Sequence, residues 1–504
     1  MTRREIIEHY RNQPDVSVLI IGGGVNGIGT FRDLALNGVD VLLVEKNDFC
    51  SAASAANSHM VHGGLRYLEY GEFRLVKEAL RERNLLLQNA PHYVHPLPTT
   101  IPIFHRFSGL FNAARRFLRL SSKPSHRGAL IIKVGLMLYD LFTRGQQTLP
   151  RHQFFSREES LRKRPKLNPA IVNTAQYYDA WMPYPERICL EMILDAEATG
   201  ANAHALNYVK AVGANGDTVT LSDELSGERF TVRPQIVVNA SGPWIDFTNR
   251  DMGQQTTFIG GTKGAHLVVD HRELLEATVE GEIFFENEDG RITLFFPIED
   301  RVLMGSTDIP VDDPDAVRVT DEEIDYILES VRLVFPTIDV KKSDVVYTFT
   351  GVRPLPHSDA DTPGAVSRDH SIRVTEAGNG VNFPVLSLVG GKWTTFRAFS
   401  EQTADRVLHD LKRARTVDTA HEAIGGGKNY PQTDAEKQTW LDNLHTQTNI
   451  PRERLETLFK RYGTRAASIA AYIANENDAP LSSRPDYSRC EIAFIAAHEK
   501  VHHL

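Results

Sequence analysis

The sequence has few cysteines and no long uninterrupted apolar run. Its three cysteines, Cys50, Cys189 and Cys490, stand far apart among 504 residues, so neither a disulfide framework nor a Cys-x-x-Cys zinc site is expected, and no metal site is predicted. The longest apolar stretch, residues 129–142, is interrupted by a lysine and an aspartate and is too short to span a bilayer. We expect no leader peptide, because no basic and then apolar segment precedes the first apolar strand. These absences favour a reducing cytoplasmic compartment and no transmembrane helix.

An excess of positive charge is also lacking. The chain has 56 Lys and Arg against 65 Asp and Glu, and a formal net charge of −9 argues against nucleic acid as a partner. Its length predicts two or three domains.

One basic segment, residues 106–120, departs from this overall balance. Apolar and basic residues alternate there at helical spacing. Two interpretations remain open: a cationic amphipathic helix on a membrane surface, or a surface helix that covers the protein's own core. The apolar members are Phe107, Leu110, Phe111, Ala114, Phe117 and Leu118, and the basic members are Arg106, Arg115, Arg116 and Arg119.

The first chemical signal is a glycine-rich turn near the N-terminus. A β-branched apolar strand, residues 17–21, precedes it, and a predicted helix over residues 25–36 follows. The glycines Gly22, Gly24 and Gly27 have the G-x-G-x-x-G spacing. The first permits a tight turn, the second lets the backbone approach a pyrophosphate, and the third lets the helix pack against the strand.

A second strand and an acidic residue complete this signal. Residues 41–44 form an apolar strand that ends in Glu45, about 20 residues beyond the glycines, where a carboxylate accepts hydrogen bonds from ribose hydroxyls. The order strand, glycines, helix, strand, acid predicts a dinucleotide with free ribose hydroxyls, NAD or FAD. Small and polar residues over 47–58 then favour FAD, because they let a long extended cofactor lie against the backbone.

The rest of the chain predicts the overall organisation. The fold class is α/β: an FAD-binding Rossmann-like domain of the glycine-oxidase type, a mixed-sheet substrate or cap domain, and a C-terminal helical domain. We expect residues 1–430 to form the FAD-dependent oxidoreductase region and residues 431–504 the helical domain. Within the first, segments of about 14–95, 170–250 and 350–415 bind the cofactor, and segments of about 96–169 and 251–349 form the substrate or cap part.

Seven motifs along the chain carry a family resemblance. They are GGGVNGIGT, HGGLRYLEYGEFRLVKEALRERNLLL, NASGPW, GSTD, TGVRPL, SRDH and GGKWTTFR. In this order they resemble FAD-dependent glycerol-3-phosphate dehydrogenase, the respiratory or aerobic enzyme, over nearly the whole chain. The resemblance implies oxidation of sn-glycerol 3-phosphate to dihydroxyacetone phosphate, with electrons passed from FAD to a membrane quinone. It also implies a cytoplasmic protein attached peripherally to the inner face of the cell membrane, and it leaves a monomer and a homodimer open.

The resemblance further implies a cationic substrate pocket, which suits a phosphorylated substrate because arginine binds phosphate through its planar fork. His266 is the expected proton acceptor, since imidazole titrates near neutrality. Residue types alone also admit structural roles, with His266 as a core histidine and Arg353 as an ion-pair residue. Asp308 is expected to be a turn acceptor, and His62 competes for contact with the flavin ring. The implied substrate residues are Arg66, Tyr67 and Arg368 for phosphate and hydroxyl contacts, and Arg353 and Lys392 nearer the reacting carbon.

The resemblance also assigns cofactor contacts along the chain. A helix that begins near Thr395 is expected to direct its positive end toward the flavin ring. The implied contacts are Gly22, Gly24, Asn26 and Gly27 for the pyrophosphate; Glu45 for the ribose; Ser54, Ser58, His62 and Gly64 along the extended portion; Ala240 and Gly242 on the adenine side; and Gly391, Lys392 and Thr394 near the flavin ring.

Three rival functions remain. An oxidase of the same fold hands its electrons to oxygen, and the motifs barely separate it from a quinone-linked dehydrogenase. An amine, amino-acid or hydroxy-acid oxidase of the same fold is disfavoured, because the pocket has several cations and no obvious carboxylate for an ammonium. A flavin-binding scaffold without turnover requires the pocket cations to be non-functional.

Overall fold

The structure is a computed structural model of the whole chain. It describes residues 1–106, 128–143, 148–200, 202–287, 289–358 and 369–503, and of Arg66, Glu69 and Tyr70 it describes the backbone only. The basic segment predicted over 106–120 therefore lies almost entirely outside the described residues.

The first sheet forms the nucleotide-binding half. Its central strand β1 is β-branched and apolar and is buried on both faces, as expected for a parallel strand between helical layers. The order is β17-β18-β10-β1-β2-β7, and all of these strands are parallel except the antiparallel edge strand β17. A hairpin, β8-β9, extends from β10. The strands are β1 (Asp15–Ile21), β2 (Val41–Val44), β7 (Ala203–Leu206), β8 (Val209–Asn215), β9 (Thr218–Asp223), β10 (Arg229–Asn239), β17 (His370–Thr375) and β18 (Val385–Gly390).

Helices cover both faces of this sheet. On one face, α2 (Val25–Leu36), α6 (Pro185–Glu197) and α10 (Phe396–Asp410) pack into the largest apolar cluster. On the other face, α1 (Arg3–Asn12) and the β8-β9 hairpin bury a second cluster. The carboxyl ends of the parallel strands therefore remain the accessible edge, where ligands bind in open α/β sheets.

The second sheet is mixed and forms the substrate half. Its order is β15-β11-β14-β13-β12-β4-β6-β3, with β16 paired to β11 and β5 paired to β6. Helix α9 (Asp321–Val334) covers one face with its apolar stripe. The strands are β3 (Met60–Val61), β4 (His95–Ile103), β5 (Gln153–Ser156), β6 (Asn173–Trp181), β11 (Thr262–Val269), β12 (Glu282–Glu286), β13 (Ile292–Ile298), β14 (Arg301–Gly305), β15 (Ile309–Pro310) and β16 (Val345–Arg353).

The remaining helices connect the sheets or form the C-terminal unit. The last four helices enclose an apolar cluster of their own, separate from those of the two sheets. None of the helices within the described ranges is both long and apolar enough to cross a bilayer. The connecting helices are α3 (Phe73–Asn89), α4 (Ala129–Phe142), α5 (Arg157–Lys163), α7 (Ile245–Asp251) and α8 (Arg272–Thr278), and the C-terminal helices are α11 (Asp434–Thr448), α12 (Arg452–Tyr462), α13 (Ala466–Ala474) and α14 (Arg489–His498).

The predicted fold class is confirmed. The helix α2 and the strand β2 have the predicted bounds. After β3, a 3₁₀ helix, Leu65–Tyr70, is followed by α3, and Gly71 separates the two at φ +70°. Its left-handed backbone ends the first helix, since glycine adopts that conformation without strain.

Candidate active site

A cavity of about 340 Å³ lies at the carboxyl end of β1 and is called here the dinucleotide cavity. The glycine turn, the acid after β2 and the segment after β10 all reach it, because parallel strands end at the same edge of the sheet. The predicted contacts among its lining residues are Gly22, Gly24, Asn26, Glu45, Ser54, Ala240 and Gly242.

The glycine turn fits a bound pyrophosphate. Gly22 has φ +115°, and a Cβ there would lie 2.5 Å from the carbonyl oxygen of Ala240. Helix α2 has Gly24 as its N-cap and no acidic residue in its first turn, which suits an anion. Gly27 does not line this cavity. A Cβ on it would lie 2.0 Å from the carbonyl oxygen of Gly22, so Gly27 serves the close contact between α2 and the end of β1.

A buried polar atom supports the same fit. The side-chain Oδ1 of Asn26 is buried and has no hydrogen-bond partner among the described residues. Such atoms usually have a partner in a complete site. Asn26 lines both this cavity and the neighbouring catalytic pocket, so it lies where a long cofactor would pass from one to the other.

Glu45 stands at the end of β2 as predicted. Its carboxylate accepts hydrogen bonds from the backbone N–H of Gly23 at 2.7 Å and of Asn47 at 2.9 Å. Burial raises the pKa of Glu45, while these two N–H donors favour its charged form. Since a carboxylate offers about four acceptor positions, it retains capacity for ribose hydroxyls.

A second cavity of about 580 Å³, the catalytic pocket, adjoins the first and lies between the two sheets. The two cavities share wall residues, among them Val25, Ser54 and Pro354. A single extended ligand can therefore occupy both. The predicted residues that line the catalytic pocket are Asn26, Ser54, Ser58, His62, Gly64, Tyr67, His266, Arg353, Gly391, Lys392 and Thr394.

Arg353 at the end of β16 is held by the β14–β15 turn. Its guanidinium donates to the carboxylate of Asp308 at 3.2 Å and to the hydroxyl of Ser306 at 2.8 Å. Asp308 thus orients this cation. The neighbouring strand carries Gly264, where a Cβ would lie 2.2 Å from the guanidinium. Only glycine at that position lets the arginine occupy this place.

His266 on β11 lies in the pocket, but its titration differs from our expectation. Its Nε2 lies 2.8 Å from the hydroxyl of Ser58, and its ring stacks on Phe349. Burial, together with the nearby charge of Arg353, lowers the pKa of His266 to about 3. The expectation that this imidazole titrates near neutrality is therefore wrong, because a buried ring beside a cation resists protonation.

The opposite wall of the pocket is built from two turns that meet. The ammonium of Lys392 lies 3.9 Å from the ring centroid of Tyr67. Gly64, at φ +76°, makes room for that ring, since a Cβ would lie 2.4 Å from it. The backbone N–H of His62 donates to the hydroxyl of Thr394 at 3.1 Å. The His62–Gly64 turn is thereby joined to the 3₁₀ turn Trp393–Thr395, which precedes α10.

Sequence reasoning missed the buried group that supports the His62–Gly64 turn. The backbone N–H of Gly63 donates to the hydroxyl of Tyr139 at 3.0 Å and to the carboxylate of Asp179 at 3.1 Å. Tyr139 also donates to Asp179 at 2.5 Å, and Arg83 does so at 3.0 Å. All three side chains are buried. No motif connects residues from α4, β6 and α3, so only their approach in space identifies them.

Two predicted substrate residues are not placed. Arg368 lies outside the described residues, and of Arg66 only the backbone is described, in the 3₁₀ helix beside the pocket. Their expected phosphate contacts remain predictions.

Two family models match the chain. The one described as FAD dependent oxidoreductase matches residues 17–395. The one described as the C-terminal domain of alpha-glycerophosphate oxidase matches residues 417–504.

Full-length relatives agree with these matches. A glycerol-3-phosphate dehydrogenase of Synechocystis is 36% identical and covers 98% of this chain and 89% of its own. A D-erythritol 1-phosphate dehydrogenase of Brucella abortus is 30% identical over 96% of this chain and 91% of its own. The crystal structure of a glycerol-3-phosphate dehydrogenase from Bacillus halodurans with FAD matches with a TM-score of 0.69, at 25% identity, over 94% of this chain and 80% of its own. The cofactor is FAD, and the chain belongs to the glycerol-3-phosphate dehydrogenase family of FAD-dependent oxidoreductases.

Proposed function

We propose that the protein oxidises sn-glycerol 3-phosphate to dihydroxyacetone phosphate and passes the electrons to a membrane quinone. The observation that carries this proposal is the catalytic pocket, which adjoins the dinucleotide cavity and is lined by three cations, Arg291, Arg353 and Lys392. Four carboxylates also line it, of which Asp179, Asp289 and Asp308 pair with arginines. A small phosphorylated alcohol complements the three cations.

The predicted residues take the following roles. Arg353 and Lys392 bind the anionic substrate, together with Tyr67 and, by the family resemblance, Arg66 and Arg368. FAD, when bound, supplies a two-electron acceptor for the hydride from the substrate carbon. The residues from the glycine turn through Ser54 hold the cofactor, and Gly391 and Thr394 lie near its ring.

His266 is the proposed acceptor of the hydroxyl proton. Burial and the charge of Arg353 keep this imidazole neutral. A bound phosphate dianion would offset the arginine's charge and raise the pKa of His266, since opposite charges favour the protonated ring. The imidazole would then be ready to accept a proton from the substrate hydroxyl through its Nε2, which faces Ser58.

Helix α4 supports peripheral attachment to a membrane. Its inner face is buried, but four large apolar side chains on its outer face are 44–56% exposed. Their spacing places them on one side of the helix. Contiguous exposed apolar surface is typical of membrane or protein contact. We propose that this face, Leu130, Val134, Met137 and Leu141, contacts the inner surface of the cell membrane.

Reduction of the bound flavin under anaerobic conditions tests the proposed reaction. Glycerol 3-phosphate should bleach the visible flavin band, and glycine or proline should not. Arg353→Ala should lose kcat/KM by about a hundredfold, since a hydrogen bond between charged groups contributes about 1.5–3 kcal/mol. Arg332→Ala, which changes an exposed arginine, is the control. Unchanged bleaching in Arg353→Ala would show that Arg353 does not bind the substrate, and no bleaching of the unsubstituted protein would support the scaffold interpretation.

D-erythritol 1-phosphate is the second substrate to test, because the relative from Brucella abortus is named for it. We expect a higher kcat/KM for glycerol 3-phosphate, and the reverse order would assign the protein to the longer polyol phosphate. Reoxidation of the reduced protein by oxygen and by ubiquinone-1 then separates an oxidase from a dehydrogenase.

Sedimentation with anionic vesicles tests the membrane proposal. Val134→Ser with Met137→Ser should weaken binding and leave flavin reduction unchanged. Val279→Ser with Val346→Ser removes equally exposed apolar side chains elsewhere and serves as the control. Equal sedimentation of both double variants would refute the assignment to α4.

A further inference from the structure

The wall of the dinucleotide cavity is built by both halves of the molecule. Most of its lining residues belong to the nucleotide-binding half, but Asp315 and Pro354 come from the substrate half. Asp315 lies in the connection between β15 and α9, residues 311–320, which is called here the clasp loop. A ligand in this cavity would therefore lie against a loop of the substrate half as well as against the glycine turn.

The clasp loop is fixed to the substrate sheet at both of its ends. At its start, the backbone N–H of Val311 donates to the carbonyl oxygen of Gly261 at 3.0 Å. Near its other end, the ammonium of Lys263 on β11 donates to the carbonyl oxygen of Arg318 at 2.8 Å. Since these two anchors enclose only a short segment, the position of the tip of the loop follows the position of the sheet.

A tight turn presents the carboxylate of Asp315 at the tip of the clasp loop. Pro314 is buried, and the backbone N–H of Asp315 donates to the side chain of Asp313 at 2.9 Å. Proline fixes its own φ, and an aspartate that accepts from the backbone two residues further on stabilises a turn. Local structure therefore limits the positions that the Asp315 carboxylate can take.

The Asp315 carboxylate joins two segments of the nucleotide-binding half. Its Oδ1 accepts from Nε1 of Trp244 at 2.9 Å and lies 3.2 Å from the ammonium of Lys46. That ammonium lies 4.1 Å from a ring centroid of Trp244, so each of the three side chains contacts the other two. Lys46 directly follows Glu45, and Trp244 belongs to the NASGPW motif after β10. All three side chains line the dinucleotide cavity.

We propose that Lys46, Trp244 and Asp315 form a clasp that retains the adenosine end of FAD. These are positioning residues, and they take no part in the chemistry at the flavin ring. Lys46 stands next to Glu45, the acid expected to bind the ribose, which places the clasp at that end of the cofactor. The inference concerns FAD and does not depend on the substrate or the electron acceptor, so its failure would leave the proposed function unchanged.

The clasp is expected to act mainly on the rate at which FAD leaves. The side chain of Lys46 is 31% exposed and that of Asp315 is 65% exposed, so both lie at the rim of the cavity that they line. Release past this rim requires Asp315 to separate from its partners, and affinity differences between related complexes arise mostly in the dissociation rate. An exposed ion pair contributes little by itself, whereas a hydrogen bond to a charged acceptor contributes more.

Two substitutions at Asp315 separate the ion pair from the hydrogen bond. Asp315→Asn removes the charge that pairs with Lys46 and keeps an oxygen that can accept from Trp244. Asp315→Ala removes both interactions. Asp339→Asn is the matched control, because Asp339 is also an exposed carboxylate of the substrate half and pairs with Arg332 at 3.0 Å.

The experiment measures FAD release from the full chain. The protein is loaded with radiolabelled FAD and mixed with an excess of unlabelled FAD, and the bound label is followed over time at low and at high sodium chloride. Release should be about two- to fivefold faster in Asp315→Asn and about tenfold or more faster in Asp315→Ala. High salt should accelerate release less in Asp315→Asn than in the unsubstituted protein, because the ion pair that salt screens is absent. Asp339→Asn should release FAD at the rate of the unsubstituted protein.

Thermal unfolding with and without FAD separates a clasp from a contact that only supports the fold. A ligand raises the midpoint of the protein that binds it by an amount that grows with its affinity. The difference between the midpoints of the FAD-loaded and FAD-free chain should therefore be smaller in Asp315→Ala than in the unsubstituted protein. An equal fall of both midpoints would overturn the clasp. Release from both Asp315 variants at the rate of Asp339→Asn would overturn it as well.

Discussion

At the scale of single residues, the pocket depends on how neighbours set charge and space. Burial lowers the pKa of His266, and the guanidinium of Arg353 on the adjacent strand lowers it further. The guanidinium of Arg353 can occupy its position because Gly264 has no side chain. Both effects act through distances of a few ångströms, where charge interactions and steric overlap are strongest.

The pH dependence of flavin reduction tests the role of His266. With saturating substrate, the rate should fall below the pKa that His266 has in the complex, because only the neutral ring accepts a proton. Burial and the charge of Arg353 lower this pKa to about 3, and a bound dianion would raise it, so the acid limb reports the pKa of His266 in the complex. His266→Gln should lose at least about a hundredfold in rate and also lose the limb. An acid limb of the same shape in His266→Gln would assign proton transfer to another group.

Gly264→Ala tests the placement of Arg353 without removing its charge. The added methyl group would lie 2.2 Å from the present guanidinium position, so the side chain must move away from Asp308 and Ser306. We expect KM for glycerol 3-phosphate to rise about tenfold or more, with FAD still bound. Gly213→Ala, which would meet only the carbonyl oxygen of Asp251 at 3.9 Å, is the control. Equal KM values in the two variants would contradict this geometry.

At the scale of elements, buried polar groups join helices to the turns of the site. Tyr139 on α4 and Asp179 on β6 together accept the backbone N–H of Gly63. The turn that carries His62 is therefore positioned by a helix whose outer side is exposed and apolar. Such fully paired buried groups hold one arrangement strongly, because any lost partner leaves a polar group without compensation.

Tyr139→Phe tests this support. The substitution removes one hydroxyl and leaves the ring, so helix packing should persist at a cost of about 1–3 kcal/mol in the free energy of unfolding. We expect a shifted visible flavin spectrum and a fall in kcat of about tenfold, because the His62–Gly64 turn loses a hydrogen bond that fixes its position beside the cofactor. Tyr184→Phe removes an exposed hydroxyl bonded to Glu299 and is the control. A lower stability with unchanged spectrum and kcat would make Tyr139 merely structural.

At the scale of the whole molecule, the C-terminal helices have their own apolar core and are joined to the FAD-binding half by buried ion pairs. Arg187 on α6 pairs with Glu499, whose side chain is 1% exposed, and donates to the hydroxyl of Tyr93 at 3.2 Å. Glu191, whose side chain is also fully buried, pairs with Arg465 of the C-terminal part at 3.6 Å. The division near residue 430 remains our proposal, with these contacts as the junction.

Arg187→Met tests that junction. It leaves the buried Glu499 with a weaker set of partners, which should cost about 3 kcal/mol or more. Calorimetry should then resolve unfolding of the C-terminal helices as a separate, earlier transition. The double variant Arg187→Met with Glu499→Met should recover much of the loss, and the exposed Arg484→Met should change nothing. A single unshifted transition in Arg187→Met would show that the two parts are held together by other contacts.

The sequence by itself determined the nucleotide-binding half and its ligand. Gly22, Gly24 and Glu45 are local signals, since a tight turn, a helix start and a strand end are each encoded by a few adjacent residues. The motifs around Arg353 and Lys392 likewise placed both in one pocket, because family motifs preserve the register of the strands and turns that carry them.

Only the tertiary structure decided the environment of those residues. Three features of the site arise between segments that are distant in sequence. They are the lowered pKa of His266, the hydrogen bond from Arg353 to Asp308, and the hydrogen bonds from the backbone N–H of Gly63 to Tyr139 and Asp179. Burial and electrostatic interaction depend on what surrounds a group in space, and the order of residues along the chain does not specify that surrounding.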